Sequence, residues 1–228
     1  MAWFTRFTRF GDMHYVYGQE RGMSCGLASS TMLVFKVNKL TPGVRALRDE
    51  DQIIDTYQKV TGHAYDIRYG TFPEDLVKVL NTLTKKKWRN DYVTGAAATQ
   101  AIIDSVGVTA APGPTVNVTP IIIGVNWQGG GAHWLVVDTV RKFAGQLYAT
   151  VCDPWDGDVH VTPISAGKTF EYVAKPDKTS WSLRGIGDKL MGKSYEQQLD
   201  RYLGKRAFAY DEAPSYGAST QWGVISMV

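Results

Sequence analysis

The chain has 228 residues, 44% of them hydrophobic, and carries 25 Lys and Arg against 22 Asp and Glu for a formal net charge of +3. That length suits one large domain, and we take residues 1–228 as one. The charge is too small and too dispersed to point to nucleic acid or a membrane surface, and no apolar run approaches the roughly 18 residues that span a bilayer.

Residues 1–10 interleave aromatics with arginines and lack the unbroken apolar stretch of a secretory signal. Location in the producer's cytoplasm, or export by a route that reads no N-terminal signal, is expected. The two cysteines, Cys25 and Cys152, are far apart and form no Cys-x-x-Cys pair, so neither a disulfide scaffold nor a zinc knuckle is indicated. No motif asks for a metal or a cofactor.

In chain order, residues 1–24 are Gly-punctuated and read as an irregular arm that carries Gln19. From Gly26, Ala28, Met32 and Phe35 recur at helical spacing alongside Leu27, Thr31 and Val34, which predicts about three turns of helix with Cys25 at its start. A second helix is expected over Asp49–Thr61, with Ile53, Ile54, Tyr57 and Val60 on one face and Gly62 as its stop. Thr71-Phe72-Pro73-Glu74 has the capping-box pattern with Pro in the first turn, opening a third helix through Leu76, Val79, Leu80 and Leu83. The basic run Lys85–Arg89 reads as a solvated helix end. A fourth helix is expected over Thr94–Ser105.

Ala111-Pro112-Gly113-Pro114 breaks the chain, and its character then turns to β. Strands are expected at Val118–Trp127, His133–Val140, Leu147–Asp153, Val159–Ile164 and Thr169–Ala174. Helices first and strands afterwards imply an α+β fold, with N-terminal helices packed on a largely antiparallel sheet. Residues 205–228 read as a flexible tail in which Trp222, Val224 and Ile225 form at most an edge strand.

A thiol attacks as its thiolate, so an effective nucleophile needs a helix N-terminus or an imidazolium beside it. Cys25 has the first. Among the four histidines, His14 and His63 fall in the arm and at a helix end, and His160 sits among charged turn residues. His133 alone follows a glycine loop, Gly129-Gly130-Gly131, and opens an apolar strand, Trp134-Leu135-Val136-Val137. A hairpin pivoting on Phe143 would set His133 directly opposite Asp153 and on the same face of the sheet, whereas a one-residue bulge would break that pairing. Cys152 would then point away. These residues define a candidate site: Cys25 as nucleophile, His133 as base then acid, Asp153 as orienter (Asp156 and Asp158 being alternatives), and Gln19 with the Cys25 N–H as oxyanion donors.

The same residues carry a resemblance. Gln19, Cys25-Gly26-Leu27-Ala28, Gly131-Ala132-His133-Trp134 and Asp153-Pro154 look like the motifs of papain-like cysteine peptidases, and are most similar to the bacterial peptidases that process double-glycine leaders of bacteriocins. The resemblance implies a papain-like fold and cleavage of a protein or peptide substrate after glycine. Free-standing domains of this kind resemble bacterial effector toxins, which implies a target in another cell and a cognate immunity or inhibitor protein as partner. A glutamine deamidase or transglutaminase would use the same Cys-His-Asp set, and a catalytically silent interaction domain would keep it without using it.

Gly187-Asp188-Lys189-Leu190-Met191-Gly192-Lys193-Ser194 satisfies the phosphate-loop expression. Such a loop follows a buried strand inside an α/β domain, and no apolar strand precedes Gly187. A turn leading into a Tyr195–Leu203 helix fits better.

Overall fold

The computed structural model describes residues 3–39, 50–66, 68–93, 95–126, 132–173, 215–218 and 223–228. The glycine loop before His133, the Gly187–Ser194 motif, the Tyr195–Leu203 helix, Asp49, Thr94 and Trp222 lie outside these residues.

The first helix, α1 (Cys25–Val37), is buried on all sides from Cys25 to Phe35. Small residues at Gly26, Ala28, Ser29 and Ser30 let its neighbours come close, as an enclosed helix requires. α2 (Glu50–Thr61) and α3 (Pro73–Thr84) pack against it. The capping box does not form: the N-cap of α3 is Phe72, with no side-chain cap bond. Thr71 is instead buried against Gly26, and its carbonyl accepts the indole N–H of Trp134 at 3.2 Å. α4 (Gly95–Val106) lies on the opposite side of the sheet, with Ile102 and Val106 in a second core.

The α+β layout expected above is what the described residues form. The main sheet runs β3 (Trp88–Asp91), β11 (Val224–Met227), β5 (Ile121–Asn126), β6 (Ala132–Phe143), β7 (Gln146–Asp153), β8 (Asp158–Ile164). β9 (Glu171–Val173) and β10 (Ser215–Ala218) join it, and β4 (Val108–Ala110) pairs with β6 in parallel; the other pairings are antiparallel. One face carries Ile122, Trp134, Val136 and Cys152 toward α1, while the other carries Ile123, Leu135, Val137 and Val151. No helix among the described residues is long and apolar enough to cross a membrane.

Three further expectations need correction. The arm is not irregular: β1 (Trp3–Phe7) and β2 (Met13–Tyr17) form an antiparallel hairpin that packs on α1, β7 and β8. Its alternating residues bury Phe4 on one strand and His14 and Val16 on the other. The tail contributes two strands, and β11 is an interior strand between β3 and β5 rather than an edge strand. Val224 and Ile225 are buried there, which explains their apolar character.

The third correction concerns register. The β6–β7 turn falls at Ala144 and Gly145, both at positive φ (48° and 82°), not around Phe143. From Phe143↔Gln146 to Thr139↔Thr150 the ladder is regular, and continued unchanged it would leave His133 and Asp153 on opposite faces. The register shifts at Asp138, after which Val137 faces Val151 and Val136 faces Cys152. The bulge restores parity. His133 and Asp153 are thus diagonal neighbours on one face, not direct partners.

Gly26 tests the close approach at the start of α1. A Cβ there would lie 2.0 Å from Thr71 Oγ1 and 2.9 Å from Trp134 Cδ1. Alanine raises intrinsic helix propensity by about 1 kcal/mol, but overpacking costs about 1–3 kcal/mol. Gly26→Ala is therefore expected to lower unfolding free energy by about 1–2 kcal/mol in a urea titration; a gain in stability would contradict this packing.

Candidate active site

Cys25 is the first residue of α1 and is 9% exposed. Ser24 caps the helix in position only: its hydroxyl donates to Glu50 Oε1 at 2.5 Å, and it makes no side-chain cap bond. The first turn holds no acidic residue, so the N–H groups that open the helix keep their positive potential beside the thiol.

The loop before Cys25 is held from three directions. Glu50, fully buried at the start of α2, accepts from Glu20 N–H at 2.5 Å, from the Ser24 hydroxyl, and from Arg21 Nη1 at 3.2 Å. Gln19 N–H donates to Pro154 O at 2.6 Å, which ties the loop to the chain just after Asp153. The Gln19 side chain turns back into the loop, with Nε2 donating to Arg21 O at 2.8 Å and to Gly22 O at 3.2 Å. Both amide hydrogens are thereby committed, and Oε1 is buried without a partner among the described residues. Glu50 was not singled out from the sequence, where it reads as an ordinary acid in a helix's first turn.

His133, at the mouth of β6, is 2% exposed, and its Nε2–H donates to Asp153 Oδ1 at 2.7 Å. The Cys25 side chain lies near enough to the ring to favour its protonated form. With Nε2 committed to Asp153, Nδ1 is the nitrogen left for the thiol. Trp155 stands edge-on to the imidazole at 5.9 Å between ring centroids, and its backbone N–H donates to Asp153 Oδ1 at 2.7 Å. The second Asp153 oxygen accepts the Tyr172 hydroxyl at 2.6 Å. Burial disfavours an imidazolium, yet the Asp153 charge and hydrogen bond, with Cys25, raise His133 to about 10. Burial would likewise raise Asp153, but the charges of His133 and His160 and the Tyr172 bond hold it below the usual carboxylate range.

Of the sequence-predicted residues, His133 and Asp153 share a hydrogen bond, and Cys25 is near enough to act on the imidazole's charge. Gln19 flanks them with its donors turned elsewhere. Asp156 does not orient His133; it pairs with His160, Nε2 to Oδ2 at 2.7 Å, behind Tyr172, whose ring lies 5.4 Å from the His160 ring. His160 is a buried β8 residue rather than a turn residue. Asp158 pairs with Arg6 at 3.0 Å. Period-2 alternation through Asp158-Val159-His160-Val161 carries the signal that could have placed His160 on the Asp153 side.

On the far side of the hairpin, the bulged Asp138 accepts from Lys36 Nζ and from His14 Nδ1, each at 2.6 Å, and Lys36 also reaches Cys152 Sγ at 3.4 Å. Burial pushes the Cys152 thiol up to about 12, which leaves it inert. Metal-ligating atoms converge at His14/Asp138/Cys152 and at Asp153/Asp156/His160. In both groups the carboxylates already accept from protein donors: Lys36 and His14 in the first, His133, Tyr172 and His160 in the second.

No family model matches the chain, and no curated protein matches it. Among solved structures, a double-glycine motif protease from an AMS/PCAT transporter, determined in complex with the leader peptide, is similar at 19% identity and a TM-score of 0.39, covering 70% of this chain and 86% of that one.

The second buried pair gives a stability signature. Burial lowers His160, but Asp156 outweighs it and raises the imidazole to about 9. Relative to the ordinary histidine value near ~6.5, that stabilisation is complete below the lower value and is lost as pH rises through the higher one. Unfolding free energy should fall between these limits. His160→Gln is expected to remove on the order of 2 kcal/mol of that fall, measured by chemical denaturation across the range; an unchanged pH dependence would count against the pair.

Proposed function

We propose that this protein is a papain-like cysteine hydrolase, and within that class an endopeptidase. The observation that supports it is the imidazole of His133, bonded to the buried Asp153 carboxylate at 2.7 Å and raised by the Cys25 side chain near it. A histidine held protonated beside a thiol at a helix start is the arrangement by which a protein activates a cysteine nucleophile.

The Cys25 thiolate attacks the scissile carbonyl carbon, and the carbonyl electrons move onto oxygen. Collapse of this adduct expels the amine, which takes the proton from His133 and leaves a thioester on Cys25. Water, deprotonated by His133, then releases the acid. Asp153 keeps the ring oriented and the imidazolium stable through both halves. The Cys25 N–H faces the developing oxyanion. For Gln19 to join it, the amide has to release Gly22 O, the longer of its two bonds.

The narrower proposal is cleavage after glycine by an effector that acts in another bacterial cell, with an immunity protein in the producer. Its support is the resemblance of the Gln19–Ala28, Gly131–Trp134 and Asp153–Pro154 segments to double-glycine leader peptidases.

Incubation with a bacterial lysate, followed by sequencing of new N-termini, is expected to reveal cuts after glycine that vanish in Cys25→Ala while its circular dichroism is unchanged. Persistent cutting by that variant would end the proposal. A target that gains about one dalton without being cut would reassign the chemistry to deamidation. The alkaline limb of activity should lie near the His133 value of about 10. In Asp153→Asn it should move down, because burial alone disfavours the imidazolium, with turnover reduced by about 10²–10⁴.

A further inference from the structure

Two donors are usual around a thiohemiacetal oxyanion, and the helix start supplies one. The side chain expected to supply the other, Gln19, has both amide hydrogens on loop carbonyls. Another polar group stands unused beside Cys25. Tyr65 packs into the same apolar cluster as Cys25 and Tyr57, its ring edge-on to Tyr57 at 6.1 Å. Its hydroxyl is buried and has no hydrogen-bond partner among the described residues. A buried unpaired hydroxyl is costly, and such groups persist where a partner arrives with a ligand.

The segment that carries Tyr65 is fixed against the nucleophile. Asp66 closes a tight turn, its backbone bridged to Gly70 and its carboxylate accepting from Arg68 N–H at 2.8 Å. Gly70 lies against Met23, and Thr71 lies against Gly26, so the chain just after Tyr65 packs on residues to either side of Cys25 in sequence. The phenol senses the charges of Cys25, Glu50 and Arg21; together with burial, Cys25 and Glu50 hold its pKa well above the usual tyrosine value. Tyr65 therefore stays protonated throughout the working range, as a donor must.

We infer that the Tyr65 hydroxyl is the second oxyanion donor, hydrogen-bonding the oxygen that becomes negative when Cys25 attacks an acyl carbon. This rests on Cys25 acting as the nucleophile proposed above. As the C–S bond forms, the carbonyl π electrons move onto oxygen; the Tyr65 proton is shared with that oxygen but stays on the phenol. The leaving group takes its proton from His133, so Tyr65 neither gains nor loses one over the cycle.

Two reagents separate this role from any effect on the thiolate. Iodoacetamide alkylates Cys25 by displacement of iodide and creates no oxyanion, whereas p-nitrophenyl acetate acylates it through a tetrahedral oxyanion. In full-length Tyr65→Phe, with Cys25→Ala as the blank, acylation is expected to slow by about 10²-fold while alkylation holds within about twofold. The melting temperature should equal or exceed that of the wild type, since an unpaired hydroxyl is removed. Acylation at the wild-type rate, parallel loss of both reactions, or a lower melting temperature would each overturn the assignment. If wild-type Cys25 takes neither reagent, the cysteine-hydrolase proposal itself fails, and the Tyr65 role with it.

Discussion

The buried bond between His133 and Asp153 is the constraint around which the rest of the site is arranged. Two charges taken out of water cost several kcal/mol each unless their remaining hydrogen-bonding capacity is met. For the carboxylate it is met: the Trp155 backbone N–H and the Tyr172 hydroxyl complete it. Because strand residues alternate faces, the pair exists only if β6 and β7 are in register of the right parity, and the turn at Ala144–Gly145 alone would set the wrong one. The bulge at Asp138 corrects it.

That bulge also anchors the helix. Asp138 binds Lys36, at the last turn of α1, and His14 of β2. Burial would raise the Asp138 carboxyl, but Lys36 and His14 keep it ionised far below the usual range. One end of α1 is thus fixed by the residue that sets the parity of the hairpin, while the other end presents Cys25 to the histidine which that parity positions. The loop before Cys25 is tied to the same hairpin through Gln19 N–H and Pro154 O. Apolar cores lie on either face of the sheet.

How much of this was legible in the sequence depended on the range of each interaction. α1 announced itself by local periodicity, and the β6–β7 strands by their Val, Ile and Thr content. His133 and Asp153 were placed on one face by a hairpin centred in the wrong position. That placement survived because a shifted turn and a bulge offset each other, and neither is visible locally: Ala144-Gly145 lacks the Asn or Asp that marks a type I′ turn, and Asp138 resembles any polar strand residue. The interior position of β11 and the role of Glu50 are hidden for a similar reason, since a strand's neighbours in a sheet and a carboxylate that clamps a loop thirty residues earlier acquire their roles only through the fold. Gln19 was found, but its donors face the loop, a matter of rotamer that no spacing reveals.

The central claim is that His133, beside Cys25, is held as an imidazolium by Asp153. Nitrogen-15 NMR of the His133 ring as a function of pH tests it most directly. The structure predicts doubly protonated nitrogen shifts through about pH 8 and titration near about 10. A ring that loses its proton near ~6.5, like a histidine in water, would contradict the account.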